Sequence, residues 1–249
     1  MTSRRRDFGL WAGLVVVVVV GLVAIAIFVR DRSVSTRSSR ADSDSSVLAL
    51  TWGPSLCQVQ AAVRGCQNGN VAKMGPSFVL HGLWPQPSTM RYCGVPEAAA
   101  DRRSPPELPP QLRARLAAIM SDSTSMAPHE WFAHGTCSGV SPNEYFSIAA
   151  ALSDDAVAVL DRVFNDARGR RLSSRTVRQA VDAAFGDGTG NRVSLTCRPA
   201  GTNGDVVYEV RLSLPAVVSL HSSGGPPALS DALASGPVVQ PGCGQGRVP

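Results

Sequence analysis

Stretches in which branched and aromatic residues alternate with polar ones indicate four strands after residue 46. They are VLALTW at 47–52, SFVLHGLW at 77–84, RVSLTC at 192–197 and VVYEVRLSL at 206–214. A period of two places successive side chains on opposite faces of a sheet, so each stretch predicts a β-strand. Pro85 predicts the end of the second strand, because proline has no backbone N–H to donate.

Apolar residues at helical spacing predict the other elements. In PQLRARLAAIM, Leu112, Leu116 and Ile119 recur every three or four residues, as on one face of a helix. We predict helices over 110–120, 142–153 and 154–168. A further helix follows Pro128 and ends at Gly135, and another extends from Ser173 or Ser174 to Phe185. We predict a loop at 94–110 and no clear element after Ser222. Because helices and strands are segregated without a regular βαβ rhythm, we expect an α+β domain over 47–249.

The N-terminal segment has a different composition. Residues 10–29 carry no charge over 20 positions, which at about 1.5 Å per residue crosses a hydrocarbon core of about 30 Å. We predict a cytoplasmic N-terminus over 1–9, a transmembrane anchor over 10–29 and a flexible serine-rich linker over 30–46. The alternative is a cleaved secretory signal, since Ala24 and Ala26 resemble a cleavage site.

The basic balance of the chain also belongs to this N-terminal segment. Residues 1–40 carry seven arginines and two aspartates, a net charge of +5, which equals the net charge of the whole chain. The remaining residues therefore carry as many acidic as basic side chains. Charge alone gives no argument for a nucleic-acid-binding surface on the globular domain.

Six cysteines follow the apolar segment: Cys57, Cys66, Cys93, Cys137, Cys197 and Cys243. None forms a Cys-x-x-Cys pair, so the spacing of a zinc ribbon is absent. An even number behind an export segment predicts three disulfides and a domain on the extracytoplasmic side of the membrane. Reduced, buried thiols in a cytosolic domain are the alternative. Six cysteines allow 15 pairings, and spacing does not choose among them.

Three of the four histidines lie in two clusters, each beside a tryptophan. His81 lies in HGLWPQ, and His129 and His134 lie in HEWFAHGTC. Five residues turn a regular helix by about 500°, which leaves His129 and His134 about 140° apart and disfavours a shared metal. Glu130 and His134 are four residues apart and share a face, a pairing that orients an imidazole and raises its basicity. We therefore predict acid–base chemistry without a metal or cofactor.

The two histidine segments resemble those of a known family. FVLHGLWPQ at 78–86 and HEWFAHGTC at 129–137 are similar, in order and separation, to the ribonuclease T2 family motifs F-x-x-H-G-L-W-P and H-E-W-x-K-H-G-T-C. The resemblance extends more loosely from 47–52 to 206–214 and does not cover residues 1–46. It implies an α+β fold with a central antiparallel sheet and flanking helices.

The resemblance also implies an activity, the metal-free cleavage of RNA. The 2′-hydroxyl attacks the neighbouring phosphorus, and a 2′,3′-cyclic phosphate forms and is later hydrolysed to a 3′-phosphate. By resemblance, His134 accepts the 2′-hydroxyl proton, His81 protonates the leaving oxygen and Glu130 stabilises the phosphorane-like state. His129 contacts the phosphate, and Trp84 lines its site. RNA and, through the N-terminal helix, the membrane are the implied partners, with no obligatory protein partner.

A disulfide pattern follows from the same resemblance. Cys93 and Cys137 are similar to the family's shared bridge between the two active-site segments. The implied pairs are Cys93–Cys137, Cys57–Cys66 and Cys197–Cys243.

One residue departs from the family motif, since Ala133 occupies the position at which the family has lysine. This leaves open a catalytically weak member that binds RNA or a protein partner, although both motif histidines and Glu130 favour an enzyme. A membrane-tethered structural domain, the third hypothesis, explains the anchor but not the histidine clusters. We interpret Trp131 as a packing residue and His221 as an ordinary surface residue.

Overall fold

The computed structural model describes residues 43–249 apart from 101, 202, 203 and 222–224. The N-terminal region and anchor predicted over 1–29, and most of the predicted linker, lie outside the described residues. The end of that linker differs from the prediction, because the first strand already begins at Ser45. Within the described part of the chain, no helix has the length and apolar character that crossing a membrane requires.

Six strands of the described residues form one sheet. They are β1 (Ser45–Trp52), β2 (Phe78–Gln86), β3 (Arg171–Ser173), β4 (Val193–Pro199), β5 (Asp205–Pro215) and β6 (Gln245–Arg247). The order is β2–β1–β5–β6–β3, and β4 also pairs with β5. The described pairs are antiparallel except for β5 with β6. All four predicted strands are confirmed, and together they form the larger part of the sheet.

The alternation along the strands gives the sheet two different faces. Leu48 and Leu50 of β1 and Val210 and Leu212 of β5 belong to the main core and are almost completely buried. The residues between them point to the opposite face. That second face carries the polar side chains of the candidate site described below.

β2 continues through Pro85, where the sequence predicted its end. β2 is the edge strand of the sheet and pairs with β1, with Pro85 opposite Ser46. An edge strand accepts proline because one side of its backbone makes no ladder hydrogen bonds. The predicted end after Trp84 is therefore wrong.

Nine helices accompany the sheet in the described residues. They are α1 (Gly53–Val59), α2 (Arg64–Gln67), α3 (Asn70–Lys73), α4 (Glu97–Ala100), α5 (Pro110–Ile119), α6 (Ser123–Ala133), α7 (Pro142–Asp166), α8 (Ser174–Phe185) and α9 (Leu229–Ser235). The helices predicted over 110–120 and up to Phe185 are confirmed, and Ser173 caps α8 by accepting a hydrogen bond from the Thr176 N–H at 3.1 Å. α6 begins earlier than predicted and contains Pro128.

α7 is a single helix where the sequence predicted two. Buried apolar residues continue at helical spacing across the predicted break, from Leu152 to Leu160 and Phe164. Neither glycine nor proline interrupts this run, so no local signal ends the helix. A capping box between Ser141 and Glu144 fixes its start.

The tail contains two elements that the sequence pattern missed, α9 and β6. Its glycines and prolines weaken any local signal, whereas long-range contacts hold it in place. The Cys197–Cys243 disulfide joins it to β4, and β6 lies between β5 and β3. The other two disulfides are Cys57–Cys66 and Cys93–Cys137, so all three pairs match those that the resemblance implied. The α+β class is confirmed.

Candidate active site

A β-bulge in β2 sets the direction of His81. The register of β1 against β2 shifts between Ala49 and Leu50, which leaves His81 as the extra residue of β2. Bulges re-aim the side chain that they insert. His81 and Trp84 consequently lie together outside the main core, with their ring centroids 5.0 Å apart.

Helix α6 presents the second motif and ends inside it. The helix ends at Ala133, and His134 takes the non-helical backbone angles φ −126° and ψ −49°. The rings of His129 and His134 have centroids 6.4 Å apart. Ligand atoms of His129, Glu130 and His134 all lie within 4.8 Å of one another. The separation of about 140° expected on a regular helix does not apply, because the helix ends between the two histidines.

Glu130 contacts the first motif. Its side chain is buried, and its Oε2 accepts a hydrogen bond from Trp84 Nε1 at 2.9 Å. Its Oε1 lies 4.0 Å from His81 Nε2. The expected pairing, in which Glu130 makes His134 more basic, is wrong, since the carboxylate is held by Trp84 and His81 and the pKa of His134 falls instead of rising.

Two motif glycines make these contacts possible. A Cβ at Gly82 would collide with the Glu130 carboxylate and with the Trp84 indole nitrogen. A Cβ at Gly135 would collide with the Trp131 ring. Glycine thus leaves the space in which the carboxylate approaches β2 and in which the chain turns after α6.

The Trp84 ring lies close to both His81 and His134. Its centroid is 5.0 Å from that of His81 and 5.5 Å from that of His134. The guanidinium carbon of Arg211, on β5, lies 5.2 Å from the Trp84 ring centroid. A group bound at this ring is therefore within reach of both imidazoles and of one cation.

Covalent and backbone contacts hold the two motifs together. The Cys93–Cys137 disulfide joins the loop after β2 to the residues after α6, with a Cα–Cα distance of 5.0 Å. The Tyr92 N–H donates to the Ala133 carbonyl oxygen at 2.9 Å. Ala133 is completely buried, so the residue that departs from the family motif lies in packed surroundings.

The surroundings of His81 favour its charged form. Burial, the largest single effect, disfavours the imidazolium, but the hydrogen bond of Nδ1 with Glu209 at 2.8 Å and the nearby carboxylate charges together raise the pKa of His81 above 6.5. The negative charges of Glu130 and Glu209 act in the same direction, and Arg211 opposes them. His81 therefore retains a proton at neutral pH more readily than an ordinary histidine.

The surroundings of His134 favour its neutral form. Burial, followed by the positive charges of Arg91, His129 and His81, lowers the pKa of His134 to about 3. Burial also raises the pKa of Glu130 to about 7, against the opposing effects of His81 and of the Trp84 hydrogen bond. At mildly acidic pH the site thus holds one charged imidazole, one neutral imidazole and a largely neutral carboxyl group.

Sequence reasoning missed two residues of the site, Glu209 and Arg211. Both lie on the β5 face that carries the site, and Glu209 is 2% exposed. Glu209 Oε2 also accepts a hydrogen bond from the Thr51 hydroxyl at 3.1 Å, and Oε1 accepts one from Arg211 Nε at 2.7 Å. The available signal was the stretch VVYEVRLSL, where an acidic and a basic residue alternate in an otherwise apolar strand.

A cleft of about 380 Å³ opens beside His81, His129 and Glu130. Its wall combines apolar and polar groups from β1, β5, α6 and the loop closed by the Cys57–Cys66 disulfide. They include Thr51, Leu56, Gln60, Arg64, Asp122, Met126 and Tyr208. Apolar surface combined with a few polar groups is typical of small-molecule sites.

The remaining histidine and tryptophan predictions agree with the structure. The Trp131 ring packs against the core, with its centroid 5.9 Å from that of Tyr145. His221 is surface-exposed and lies 3.3 Å from the Glu144 carboxylate. Neither residue forms part of the site.

The chain is similar to proteins of one known family. The model of the Ribonuclease T2 family matches residues 43–222. A ribonuclease from Aeromonas hydrophila is 31% identical over 138 residues, which are 55% of this chain and 56% of that protein. A probable ribonuclease from Haemophilus influenzae is 32% identical over 124 residues, 45% of this chain and 42% of that protein. The chain thus spans about half the length of these two relatives.

A solved structure shows the same fold. The crystal structure of an RNase MC1 variant in complex with 5′-GMP superimposes with a TM-score of 0.58 and 20% sequence identity. The superposition covers 83% of this chain and 100% of the other.

Proposed function

Because the chain belongs to the Ribonuclease T2 family, we propose that it is an endoribonuclease that cleaves single-stranded RNA without metal. The proposed reaction is a transphosphorylation that gives a 2′,3′-cyclic phosphate, which is then hydrolysed to a 3′-phosphate. The observation that carries the proposal is the contrast between two histidines in one site. His81 has a raised pKa and His134 a lowered one.

The first step needs a base and an acid on opposite sides of one phosphorus. His134, neutral above about pH 3, accepts the proton of the 2′-hydroxyl, whose oxygen then attacks the phosphorus. The bond from phosphorus to the 5′-oxygen breaks, and His81 donates its proton to that oxygen. The cyclic phosphate and a 5′-hydroxyl leave, with the protonation states of the two imidazoles exchanged.

The second step returns both histidines to their starting states. A water molecule occupies the place of the departed 5′-oxygen, and His81 accepts its proton as the water oxygen attacks the phosphorus. The bond to the 2′-oxygen breaks, and His134 returns its proton to that oxygen. The product carries a 3′-phosphate.

Glu130 and Trp84 act on the phosphoryl group in this scheme. The raised pKa of Glu130 leaves its carboxyl group largely protonated at mildly acidic pH, so it donates a hydrogen bond to a phosphoryl oxygen while Trp84 holds the other carboxyl oxygen. Hydrogen-bond donors at this position stabilise the charge that develops in the transition state. Exposed His129 contacts the phosphate at the mouth of the site.

We also propose that the domain is anchored to the membrane and lies on its extracytoplasmic side. The apolar run over 10–29 is long enough for an uncleaved anchor, and the six cysteines of the described domain are all paired in disulfides. Both features support a domain tethered on the extracytoplasmic side. Protease added to intact cells is expected to release an active soluble fragment, and protection of the domain would contradict this topology.

The decisive experiment is incubation of the purified protein with RNA in excess EDTA, followed by analysis of the product ends. We expect 2′,3′-cyclic phosphates first and 3′-phosphates later. Activity that disappears in EDTA and returns with a divalent cation would overturn the metal-free mechanism. Intact RNA under all conditions would support the alternative of an RNA-binding or protein-binding member.

A further inference from the structure

A second buried acidic residue, Glu209, belongs to the site although it lies in neither histidine motif. It lies on β5 and uses both carboxylate oxygens. Oε2 contacts His81 Nδ1 at 2.8 Å and Thr51 Oγ1 at 3.1 Å. Oε1 contacts Arg211 Nε at 2.7 Å. Three elements, β1, β2 and β5, thus meet at a single carboxylate.

This carboxylate is ionised in the folded protein. Burial disfavours its charge, but the hydrogen bond and charge of His81, together with Arg211, lower the pKa of Glu209 below its usual value. A buried carboxylate is tolerated when it is paired and its lone pairs are hydrogen-bonded, as they are here. The cost of this arrangement indicates a role beyond packing, because an apolar residue would fill the same place in the strand with less desolvation.

The hydrogen bond at Nδ1 determines how His81 faces the cleft. With Nδ1 directed at Glu209, the other ring nitrogen, Nε2, points to the Glu130 side, 4.0 Å from Oε1. A carboxylate at one nitrogen fixes the ring orientation and the tautomer of an imidazole. Nε2 is therefore the nitrogen that exchanges a proton with the substrate.

Arg211 is held by the same carboxylate and directed over Trp84. It lies two residues after Glu209, on the same face of β5, and its side chain is 42% exposed. Its Nε is occupied by Glu209, whereas within the described residues its terminal nitrogens have no hydrogen-bond partner. These two nitrogens carry four N–H donors in one plane beside the Trp84 ring, the geometry with which arginine binds phosphate.

On the premise of the proposed ribonuclease activity, we propose that Glu209 is a positioning residue that holds His81 and Arg211, and that Arg211 supplies the phosphate-binding cation absent at Ala133. Ala133 is completely buried at the end of α6. Arg211 lies on β5 beside Trp84, so it approaches the proposed phosphate position from the sheet. The cation has thus moved from the helix motif to the sheet.

The first test is Glu209→Gln, with kcat and KM measured from pH 4 to pH 9. Charged groups facing His81 are Glu209 and Arg211 from β5 and Glu130 from α6, and the charge of His81 in turn acts on His134. Removing the Glu209 charge leaves burial and Arg211, which both lower the pKa of His81, opposed only by the charge of Glu130 among these groups. We expect the alkaline limb of the rate profile to move to lower pH and kcat to fall at least about tenfold, a part of the roughly 10²–10⁴-fold that a positioned acid contributes.

The second test is Arg211→Gln, with inorganic phosphate as a competitive inhibitor. We expect the phosphate inhibition constant to rise and kcat to fall by about 10²-fold, as for loss of one transition-state donor. The alkaline limb is expected to stay or to move to higher pH, opposite to its movement in Glu209→Gln, because Arg211 lowers the pKa of His81. Arg211→Lys should restore only part of the rate. Arg175→Gln, an exposed α8 position with the same change of charge, is the control and should change neither quantity.

The outcomes separate this inference from the proposed activity. A wild-type protein that leaves RNA intact contradicts the ribonuclease proposal, whereas NMR titration of His81 in the wild type still tests the contact with Glu209. A His81 whose Nδ1 carries no hydrogen-bonded proton, or which titrates below pH 6.5, overturns the positioning role even if Glu209→Gln does not fold. Phosphate inhibition that is unchanged by Arg211→Gln in a folded protein overturns the role of Arg211.

Discussion

His81 and His134 both lie beside one tryptophan ring, yet their surroundings are opposite. His81 is held between two buried carboxylates, Glu209 at 2.8 Å and Glu130 at 4.0 Å. His134 lies at a buried helix end and experiences positive charges. Two identical side chains thus have pKa values displaced in opposite directions, which is the arrangement that a paired acid and base require. The neighbours of a motif residue, more than the residue itself, determine its role.

Removal of either histidine is expected to have the largest effect. His81→Ala and His134→Ala should each lower kcat/KM by about 10²–10⁴-fold, because each removes one proton transfer. A uridine 3′-phosphodiester of 4-nitrophenol separates the two roles, since its leaving group needs no proton. On this substrate His81→Ala should recover most of its activity and His134→Ala should not. Equal losses of both variants on both substrates would remove the distinction between acid and base, and His221→Ala is the control.

Removing the Cys93–Cys137 disulfide tests whether the different roles of His81 and His134 depend on the two motifs being held together. By loop length, the 44-residue separation of Cys93 and Cys137 corresponds to about 4 kcal/mol of stability, and the 9-residue separation of Cys57 and Cys66 to about 3 kcal/mol. Urea unfolding of the two double Cys→Ser variants measures both values. Only loss of the Cys93–Cys137 bridge should also reduce cleavage under conditions where the protein stays folded. Equal activity of the two variants would show that other contacts suffice to hold the motifs.

Glu130 sharpens the comparison because its carboxylate accepts a hydrogen bond from Trp84 and its charge acts on the pKa of His81. Glu130→Ala should lower kcat by about 10²–10³-fold through loss of a donor to the phosphoryl oxygen, and Glu130→Gln, which keeps a donor, should lower it less. In both variants the alkaline limb should move to lower pH, since the charge of Glu130 raises the pKa of His81. The acidic limb should stay in place. Movement of the acidic limb instead would assign Glu130 to His134.

The smallest effect on cleavage is expected for Ala133→Lys, which restores the family's residue. Ala133 is completely buried, and its carbonyl oxygen is bound by the Tyr92 N–H. Arg211 already faces the site from β5, so a second cation adds repulsion without a free position to occupy. We expect a single-turnover rate that is unchanged or lower. A clear increase would show that the site lacks a cation and that Arg211 does not provide it.

The sequence predicted the residues of the site better than their partners. The strands, the two histidine motifs and the α+β class follow from alternation, spacing and resemblance. The partner of His81 could not be predicted in this way. Glu209 lies 128 residues later, and the two residues come together only because β1 pairs with both β2 and β5. The bulge at His81 is likewise a property of two strands in register, and neither strand alone predicts it.

Three of the wrong predictions share a cause, the use of local rules where the surrounding structure decides. A regular helix separates His129 from His134, but α6 ends between them. Pro85 ends a strand in isolation, but an edge strand accepts it. The tail after Ser222 has weak local signals, and a disulfide and two strands order its last residues.

NMR titration of the four histidines tests the central contrast most directly. The chain contains only His81, His129, His134 and His221, so single substitutions assign every imidazole signal in a histidine-labelled sample. We predict that His81 titrates above pH 6.5 and that His134 remains neutral at pH 5. A His134 that gains its proton at higher pH than His81 would contradict the account and reverse the assignment of acid and base.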